Sequence, residues 1–512
     1  MLAPDEDLLK IGKKIRTVVG RNPYGLLVQK HDVIWLFGTP RLLPTSTNFG
    51  GSLLDFRQGS PEVSYFDLAL DLDPTAIMCD AEGELVFYSN GCQVHNGMHQ
   101  LMENGDSINA GARRAAYCGS SSYPTIQGLI ALPKPGHPGK YGLFHIKLDD
   151  DTWFFKDLLY TEIDGEANNG LGRVTFKNQV VFRDTFSPVL SAVRHANGRD
   201  WWILSTQRNS DVFFITYYGP EGPGHTYAQT INASSQVYLS SGPSVFSPDG
   251  HTFARMNPPV GLQLFNFDRC SGTLYNPILI GFPNDTLGIA VGVAISPNNR
   301  FIYVAASKYI YQFDLLSDSI ATSRQVVATY DGYLVLDAPA LRASFYDLRL
   351  GPDGKIYGTA PNSSNVLHVI QEPNLPGVAC NVAQHSIQLP TLHGFSAPNY
   401  PYFRLWDAPG SPCDTLGIDT PTTATTEVGG EAAPWLHVFP NPAVDEVTIQ
   451  FKTPMSGRLQ LFDGTGRLVA GREVATKTPA VEWSVAGLPA GLYLLRFEER
   501  DGRVGYLKLV VT

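Results

Sequence analysis

A strand–turn–strand unit that recurs along the chain limits the possible folds more than any other feature. Each unit has an apolar run, a short turn rich in Pro, Asp, Asn and Gly, and a second run rich in aromatic residues. Pro presets φ, Asp or Asn accepts backbone hydrogen bonds and Gly adopts positive φ, so these segments are typical of tight turns. The turns lie roughly 50 to 60 residues apart, at 80–83, 135–139, 195–198, 247–250, 296–299 and 351–354.

This spacing predicts one closed seven-bladed β-propeller over residues 25–409, because a four-stranded blade takes about 40 to 50 residues. Each turn accounts for one blade. The run 31–38 would begin the propeller and runs within 380–406 would end it, so N- and C-terminal strands would share a seventh, closing blade. Closure would remove exposed sheet edges. Two stacked β-sandwiches with similar hairpins are the alternative.

The composition also favours an all-β fold class. The 512 residues include 49 Gly, 37 Pro, 23 Tyr and 27 Phe, and few segments have a helical period. The net charge of −10 argues against nucleic-acid partners, which need a basic face. Since no run of about 18 apolar residues occurs, we expect no membrane-spanning segment.

The N-terminal segment 1–24 has no apolar core of signal-peptide length. Leu8, Ile11, Ile15 and Val18 follow helical spacing, which predicts a short amphipathic helix. Because the C-terminal features below indicate export, we expect either that the true signal is missing from this chain or that its start codon was misassigned.

A linker and a small C-terminal domain follow the propeller. Residues 410–434 are rich in Pro, Thr, Gly and Ala and have few large apolar side chains, which is typical of a linker. Residues 435–512 contain five alternating apolar runs, which predict a small immunoglobulin-like β-sandwich. These runs centre on 447–451, 459–461, 481–485, 493–497 and 507–511.

The C-terminal domain resembles the type A C-terminal sorting domain of the Bacteroidetes type IX secretion system. The residues that match the sorting signal are Pro440, Asn441, Pro442, Asp463, Gly466, Arg467, Gly491, Tyr493 and Lys508. The resemblance implies passage through the outer membrane, contact with the type IX machinery, removal of this domain, and anchoring or release of the rest. The composition of 410–434 makes this linker the expected place of removal. An ordinary immunoglobulin-like module is the alternative.

The propeller region also resembles a group of large secreted Bacteroidetes proteins. Matching segments lie at 35–38, 79–92, 102–111, 127–135, 170–178 and 379–381, and an aromatic stretch follows near 400. This resemblance implies a propeller fused to a sorting domain. It implies no activity.

The six cysteines form no C-x-x-C pair. An exported protein can keep disulfides. We favour pairs Cys92–Cys118 and Cys380–Cys413, which lie in loop-like surroundings, and expect Cys79 and Cys270 to be buried thiols.

Catalytic motifs are missing from the sequence: it has no G-x-S-x-G elbow, H-E-x-x-H helix or phosphate-binding loop. We expect no catalytic or cofactor-binding residue. Binding of Ca²⁺ by the carboxylate and amide oxygens of the acidic segments 149–151 and 164–169 is an open alternative. A metal at His95 and His99 is less favoured than an ordinary surface pair.

Several aromatic residues, Trp153, Trp201, Trp202, Tyr217 and Tyr218, have the chemistry to stack on sugars. Their strand-like setting favours packing inside blades instead.

Together these features predict a secreted or cell-surface propeller protein, which passes through the periplasm on its way out. We expect a binding, adhesion or surface-layer module for an extracellular glycan or protein. The alternative is an extracellular hydrolase or lyase with a metal-assisted site in the central channel, since propellers host both functions.

Overall fold

The computed structural model describes residues 29–40, 48–119, 121–231, 242–257, 260–282, 292–361, 363–416, 435–462, 468–489, 491–499 and 504–511. Two compact units form within it, one inside 27–420 and one that contains 435–511. The predicted N-terminal helix at 1–24 lies outside the described residues, and so does the linker from 417 to 434.

The first unit consists of seven antiparallel sheets in chain order. The first sheet contains β1 (Ile34–Thr39), β2 (Gly50–Asp55) and β3 (Glu62–Phe66). The second contains β4 (Ala76–Cys79), β5 (Leu85–Ser89) and β6 (Val94–Asn96). The third contains β7 (Leu129–Pro133), β8 (Lys140–Leu148), β9 (Phe155–Asp164) and β10 (Arg173–Phe186).

Four further sheets have four strands each. The fourth has β11 (Ser191–Arg194), β12 (Trp201–Thr206), β13 (Val212–Gly219) and β14 (Gly222–Thr230). The fifth has β15 (Ser244–Phe246), β16 (Thr252–Asn257), β17 (Gly261–Asp268) and β18 (Thr273–Ile280). The sixth has β19 (Val293–Ile295), β20 (Phe301–Ala306), β21 (Tyr309–Asp314) and β22 (Gln325–Thr329). The seventh has β23 (Leu348–Leu350), β24 (Ile356–Gly358), β25 (Ser364–Ile370) and β26 (Val382–His393).

Helical segments are short. They are α1 (Ala112–Tyr117) and α2 (Ala167–Gly170), with 3-10 turns η1 (Ile320–Ser323), η2 (Val335–Asp337) and η3 (Gly377–Cys380).

The seven-bladed prediction is confirmed. All six recurring turns join the first strand of a sheet to its second strand, in sheets two to seven. The first strands of neighbouring sheets lie side by side around a central channel. Middle strands such as β12 are buried along their whole length, since neighbouring blades cover both faces.

The ring of sheets closes in a different way from the prediction, in which N- and C-terminal strands share one blade. Among the described residues, no C-terminal strand pairs with β1–β3; β26 packs against that sheet instead. The chain after β26 then returns to the channel. The backbone N–H groups of Phe395 and Ser396 donate to the Asp73 carboxylate, at 3.1 and 2.9 Å. The Tyr400 hydroxyl donates to the carbonyl of Ile34 at 2.7 Å. Hydrogen bonds from the chain after β26, rather than a blade shared by N- and C-terminal strands, thus connect the end of the propeller to its first two sheets.

The C-terminal unit is a small β-sandwich of five strands around one apolar core. The strands are β27 (Leu436–Phe439), β28 (Glu446–Phe462), β29 (Leu468–Ser484), β30 (Gly491–Glu499) and β31 (Val504–Val511). The structure joins the predicted runs 447–451 and 459–461 into the single strand β28. The register of β28 with β29 shifts between Gln450 and Gly457, and β27 pairs with the first half of β28 whereas β30 pairs with its second half. In β30, buried Tyr493, Leu495 and Phe497 alternate with more exposed residues.

Candidate functional site

The channel of the propeller is occupied by its own C-terminal segment, residues 394–413, which we call the channel segment. It begins near Asp73 and Asp347, which precede the first strands of two sheets. It ends near Ala196, which follows β11, where Ala408 N donates to the Ala196 carbonyl at 2.9 Å. The segment therefore runs from one end of the channel strands to the other.

Buried amides hold the middle of the channel segment. Asn399 Nδ2 donates to the carbonyls of Leu129 and Leu190 at 2.8 and 3.0 Å. Gln127 Nε2 donates to the Ser244 carbonyl at 2.8 Å and to Asn399 Oδ1 at 3.1 Å. These bonds tie β7, β11 and β15 of the channel wall to one point, and they satisfy the polar groups of both buried amides.

The far end of the segment is fixed covalently. Cys413 forms a disulfide with Cys270, in the turn between β17 and β18. Gly198 lies so close to the segment that an added Cβ would come within 2.9 Å of the Asp407 backbone nitrogen. The linker predicted from 410 thus begins later, since Cys413 still belongs to the propeller.

A cavity of about 60 Å³ remains beside the channel segment. Its apolar wall includes Trp35, Phe246, Tyr400 and Tyr402, and its polar wall includes Asp32, Ser191, Ser244, Arg349, Asn399 and Arg404. The hydroxyls of Ser191 and Ser244 are 2.6 Å apart. The space suits a few water molecules rather than a sugar or a polymer.

The channel charges are paired with one another. Arg404 makes two hydrogen bonds of 2.8 Å to the Asp32 carboxylate. Burial acts to lower the pKa of Arg404, but the Asp32 carboxylate outweighs it and raises that pKa. Arg349 lies 3.3 Å from Asp347, whose pKa burial raises. Asp32 and Asp347 thus each face a guanidinium, an arrangement that fixes the wall of the channel.

The acidic candidates for Ca²⁺ have protein partners. Asp149 Oδ1 accepts from the Thr152 hydroxyl at 2.7 Å and its backbone N–H at 2.8 Å, which lowers the pKa of Asp149 to about 2. Asp164 Oδ1 accepts from the backbone N–H groups of Glu166 and Ala167, both at 3.1 Å. Within the described part of the chain, no group of three or more His, Cys, Asp or Glu side chains is placed to hold a metal ion.

The His95 and His99 pair is not a free surface pair. His95 is buried, with Nδ1 3.3 Å from the His99 carbonyl and Nε2 3.1 Å from Gln93 Oε1. His99 stacks on Phe66 with ring centroids 4.4 Å apart. Burial lowers the pKa of both imidazoles.

The aromatic candidates divide into two groups. Trp201, Trp202 and Tyr218 are buried and Tyr217 is half-buried, as expected for packing inside blades. Trp153 was expected to pack in the same way, and this prediction is wrong, because its side chain is 63% exposed. It lies on the turn between β8 and β9, residues 149–154, which we call the Trp153 tip. In the sequence, the acidic run at 149–151 is the only feature that indicates a turn at this place.

The structure contains the predicted Cys92–Cys118 disulfide. The predicted Cys380–Cys413 pair is wrong, and so is the expectation that Cys270 is a thiol, because Cys270 and Cys413 are bonded. The channel segment carries Cys413 across the propeller, away from Cys380. Cys380 and Cys79 are buried free thiols.

In the C-terminal unit, the start and the end of the predicted sorting motif meet. Asn441 Nδ2 donates to the Lys508 carbonyl at 2.7 Å, and Asn441 Oδ1 accepts from Val510 N at 2.8 Å. Ala443 N donates to the Val510 carbonyl at 2.8 Å. Pro440 and Pro442, on either side of Asn441, are exposed. The motif thus forms one surface along the last strand.

Two other motif residues lie at the start of β30, beside the same part of the last strand, where Gly491 pairs with Val511 and Tyr493 with Leu509. Gly491 begins this strand, and the hydroxyl of buried Tyr493 donates to the Pro489 carbonyl at 2.7 Å. Asp463, Gly466 and Arg467 lie outside the described residues.

Residues 437–512 match the family profile described as "Secretion system C-terminal sorting domain". The C-terminal unit is a type IX sorting domain. The protein is therefore a secreted or cell-surface β-propeller protein that this sorting domain exports through the type IX secretion system. In the described residues, every helix is too short or too polar to cross a membrane.

Solved structures with a similar propeller share little sequence with this chain. A proposed 6-phosphogluconolactonase from Bacteroides uniformis has a TM-score of 0.45 and 14% identity, over 71% of this chain and 98% of its own. The Cps50 (Swd1) propeller domain from Myceliophteria thermophila has a TM-score of 0.30 and 14% identity, over 75% of this chain and 98% of its own. Both likenesses concern the fold alone. No curated protein matches the chain.

Proposed function

We propose that the exported propeller is an extracellular binding protein, an adhesion or surface-layer module for a glycan or protein. The observation that carries this proposal is that the channel segment fills the central channel and that a disulfide fixes the far end of this segment to the propeller. Binding would then take place on the outer faces, which are built from loops on a rigid ring of sheets.

The size of the remaining cavity supports binding outside the channel. It measures about 60 Å³, whereas pockets for drug-sized ligands commonly measure about 300 to 1,000 Å³. A polymer would need the channel segment to leave, which would break the Asn399 hydrogen bonds and the Cys270–Cys413 bond.

The alternative, a metal-assisted hydrolase or lyase in the channel, needs several carboxylates directed at one point. The channel carboxylates Asp32 and Asp347 are each paired with an arginine instead. This pairing favours the binding proposal, because an ion would have to compete with a buried guanidinium.

Binding to the cell surface tests the proposal. Fluorescently labelled protein is added to intact cells of the native host that lack the gene, and to the extracellular polymer from their culture. We expect saturable binding that excess unlabelled protein displaces. Absence of saturable binding to both would contradict the proposal. Cleavage of the polymer by catalytic amounts of protein would favour the enzyme.

A further inference from the structure

The Trp153 tip presents an aromatic surface to solvent. The Trp153 side chain is 63% exposed and that of Phe154 is 37% exposed. A large apolar side chain that stays in water lacks the stabilisation of about 1.5 to 3 kcal/mol that its burial would provide. An exposed tryptophan, with an apolar ring and a polar N–H group, is therefore a candidate contact for a ligand.

Arg113 of α1 holds this tip rigid. Arg113 Nε donates to the Asp149 carbonyl at 3.1 Å, and Arg113 Nη2 donates to the Thr152 carbonyl at 3.2 Å. The Cys92–Cys118 disulfide anchors the chain directly after α1. Trp153 is therefore preorganised, which lowers the entropy lost when a ligand binds.

One face of the indole is already covered and the other is open. The Arg113 guanidinium carbon lies 4.0 Å from the centroid of the Trp153 ring. Tyr117 meets the same ring edge-on, with centroids 6.3 Å apart and planes at 89°. The exposed fraction of Trp153 is thus chiefly the face opposite Arg113. Phe154 has a different neighbour, since the Arg208 guanidinium carbon lies 4.2 Å from the centroid of its ring.

The charges around the tip nearly balance, with Asp149, Asp150 and Asp151 set against Lys147, Lys156, Arg113 and Arg208. Lys156 lies 3.3 Å from the Asp149 carboxylate and Lys147 lies 3.2 Å from that of Asp150. Asp151 is exposed two residues before Trp153 and offers carboxylate oxygens as acceptors. A strongly charged ligand gains little at such a surface. A neutral pyranose ring has a face of C–H groups for the indole and hydroxyl groups for nearby acceptors.

We propose that the Trp153 tip binds a pyranose ring of a neutral extracellular polysaccharide. This inference rests on the proposed binding function and names its ligand class and its site. The open face of Trp153 is the platform, and Arg113 is a positioning residue that keeps the ring in place.

Affinity electrophoresis of the full chain tests the proposal, in native gels that contain laminarin, yeast mannan, xyloglucan or soluble starch, with alginate as the anionic comparison. We expect at least one of these neutral polysaccharides to retard the protein. Trp153→Ala should weaken that retardation about tenfold or more, equivalent to about 1.4 kcal/mol. Trp153→Tyr should keep most of it. Tyr275→Ala is the matched control, because Tyr275 is also exposed, at 46%, on β18 of another sheet.

Three results would overturn the inference. Equal retardation of the parent protein and Trp153→Ala would place the sugar site elsewhere and leave the proposed binding function intact. Retardation by alginate alone would show an anionic ligand. If none of the four neutral polysaccharides retards the protein, the ligand class is wrong. The cell-binding experiment above then decides the general binding function separately.

Discussion

Asn441 connects the beginning of the sorting domain to its last strand through both ends of its side-chain amide. Its partners are the Lys508 carbonyl and the Val510 amide, at 2.7 and 2.8 Å. We expect Asn441→Ala to destabilise the sorting domain by about 1 kcal/mol, because these bonds lie at the surface. Hydrogen exchange of the peptide that covers 504–511 should become faster.

The matched control for Asn441→Ala is Gln450→Ala, an exposed position on β28. It should leave the exchange of 504–511 unchanged. Equal exchange in Asn441→Ala and the parent protein would show that the motif residue does not hold the last strand.

His145 makes propeller stability depend on pH. Its side chain is buried between Asn109 Oδ1 and Thr161 Oγ1, at 2.7 and 3.0 Å, and burial lowers the pKa of His145 to about 3. An unfolded histidine has a pKa of about 6.5, so below that pH the unfolded chain binds a proton that the folded chain refuses. Stability should fall as pH drops from about 6.5 towards 3, by about 1.4 kcal/mol per pH unit for this residue.

His145→Gln tests this dependence in urea unfolding experiments at pH 7, 6 and 5. The variant should have a lower free energy of unfolding at pH 7. On acidification this free energy should fall less steeply than in the parent protein, because unfolding of the variant takes up about one proton fewer. His225→Gln, at an exposed position on β14, is the control, and its free energy of unfolding should depend on pH as steeply as that of the parent protein. An unchanged slope in His145→Gln would mean that this imidazole takes up a proton in the folded state.

At the scale of elements, the Cys270–Cys413 disulfide fixes the channel segment. It closes a loop with a sequence separation of 143 residues, against 26 for Cys92–Cys118. A long loop constrains the unfolded chain strongly, so Cys270→Ser with Cys413→Ser should lower propeller stability by about 2 to 4 kcal/mol. The midpoint of guanidinium unfolding under non-reducing conditions measures this loss.

The double variant should also expose the end of the channel segment to protease, near Trp406, while Cys92→Ser with Cys118→Ser should not. If Cys270→Ser with Cys413→Ser keeps the parent midpoint and the parent cleavage pattern, the channel segment does not depend on its covalent anchor.

The sheets were predictable because their signals are local. A Pro-Asp-Gly turn between two apolar runs, as at 247–250, determines a hairpin whatever lies elsewhere in the chain. The channel segment was not predictable, because its contacts are distant in sequence: Asn399 bonds to Gln127, 272 residues away. Exposure of Trp153 was missed for another reason. An aromatic residue beside a hairpin tip gives the same pattern whether a neighbouring blade covers it or not.

At the scale of the whole molecule, the propeller and the sorting domain have separate cores. Asn399, Arg404 and Cys413 complete the propeller, so a chain that ends after Pro434 keeps all of its own contacts. The sorting-domain core, which includes Phe451, Leu495 and Leu509, lies beyond that point. Loss of the sorting domain should therefore change the destination of the protein and leave the propeller folded.

The most direct measurement is cell fractionation of the native host that expresses the full chain or a chain ending at Pro434, each with an added signal peptide. The full chain should reach the cell surface or the medium. The shortened chain should accumulate in the periplasm as a protease-resistant propeller. Equal amounts of both chains outside the cell would contradict the account, because export would then not depend on the sorting domain.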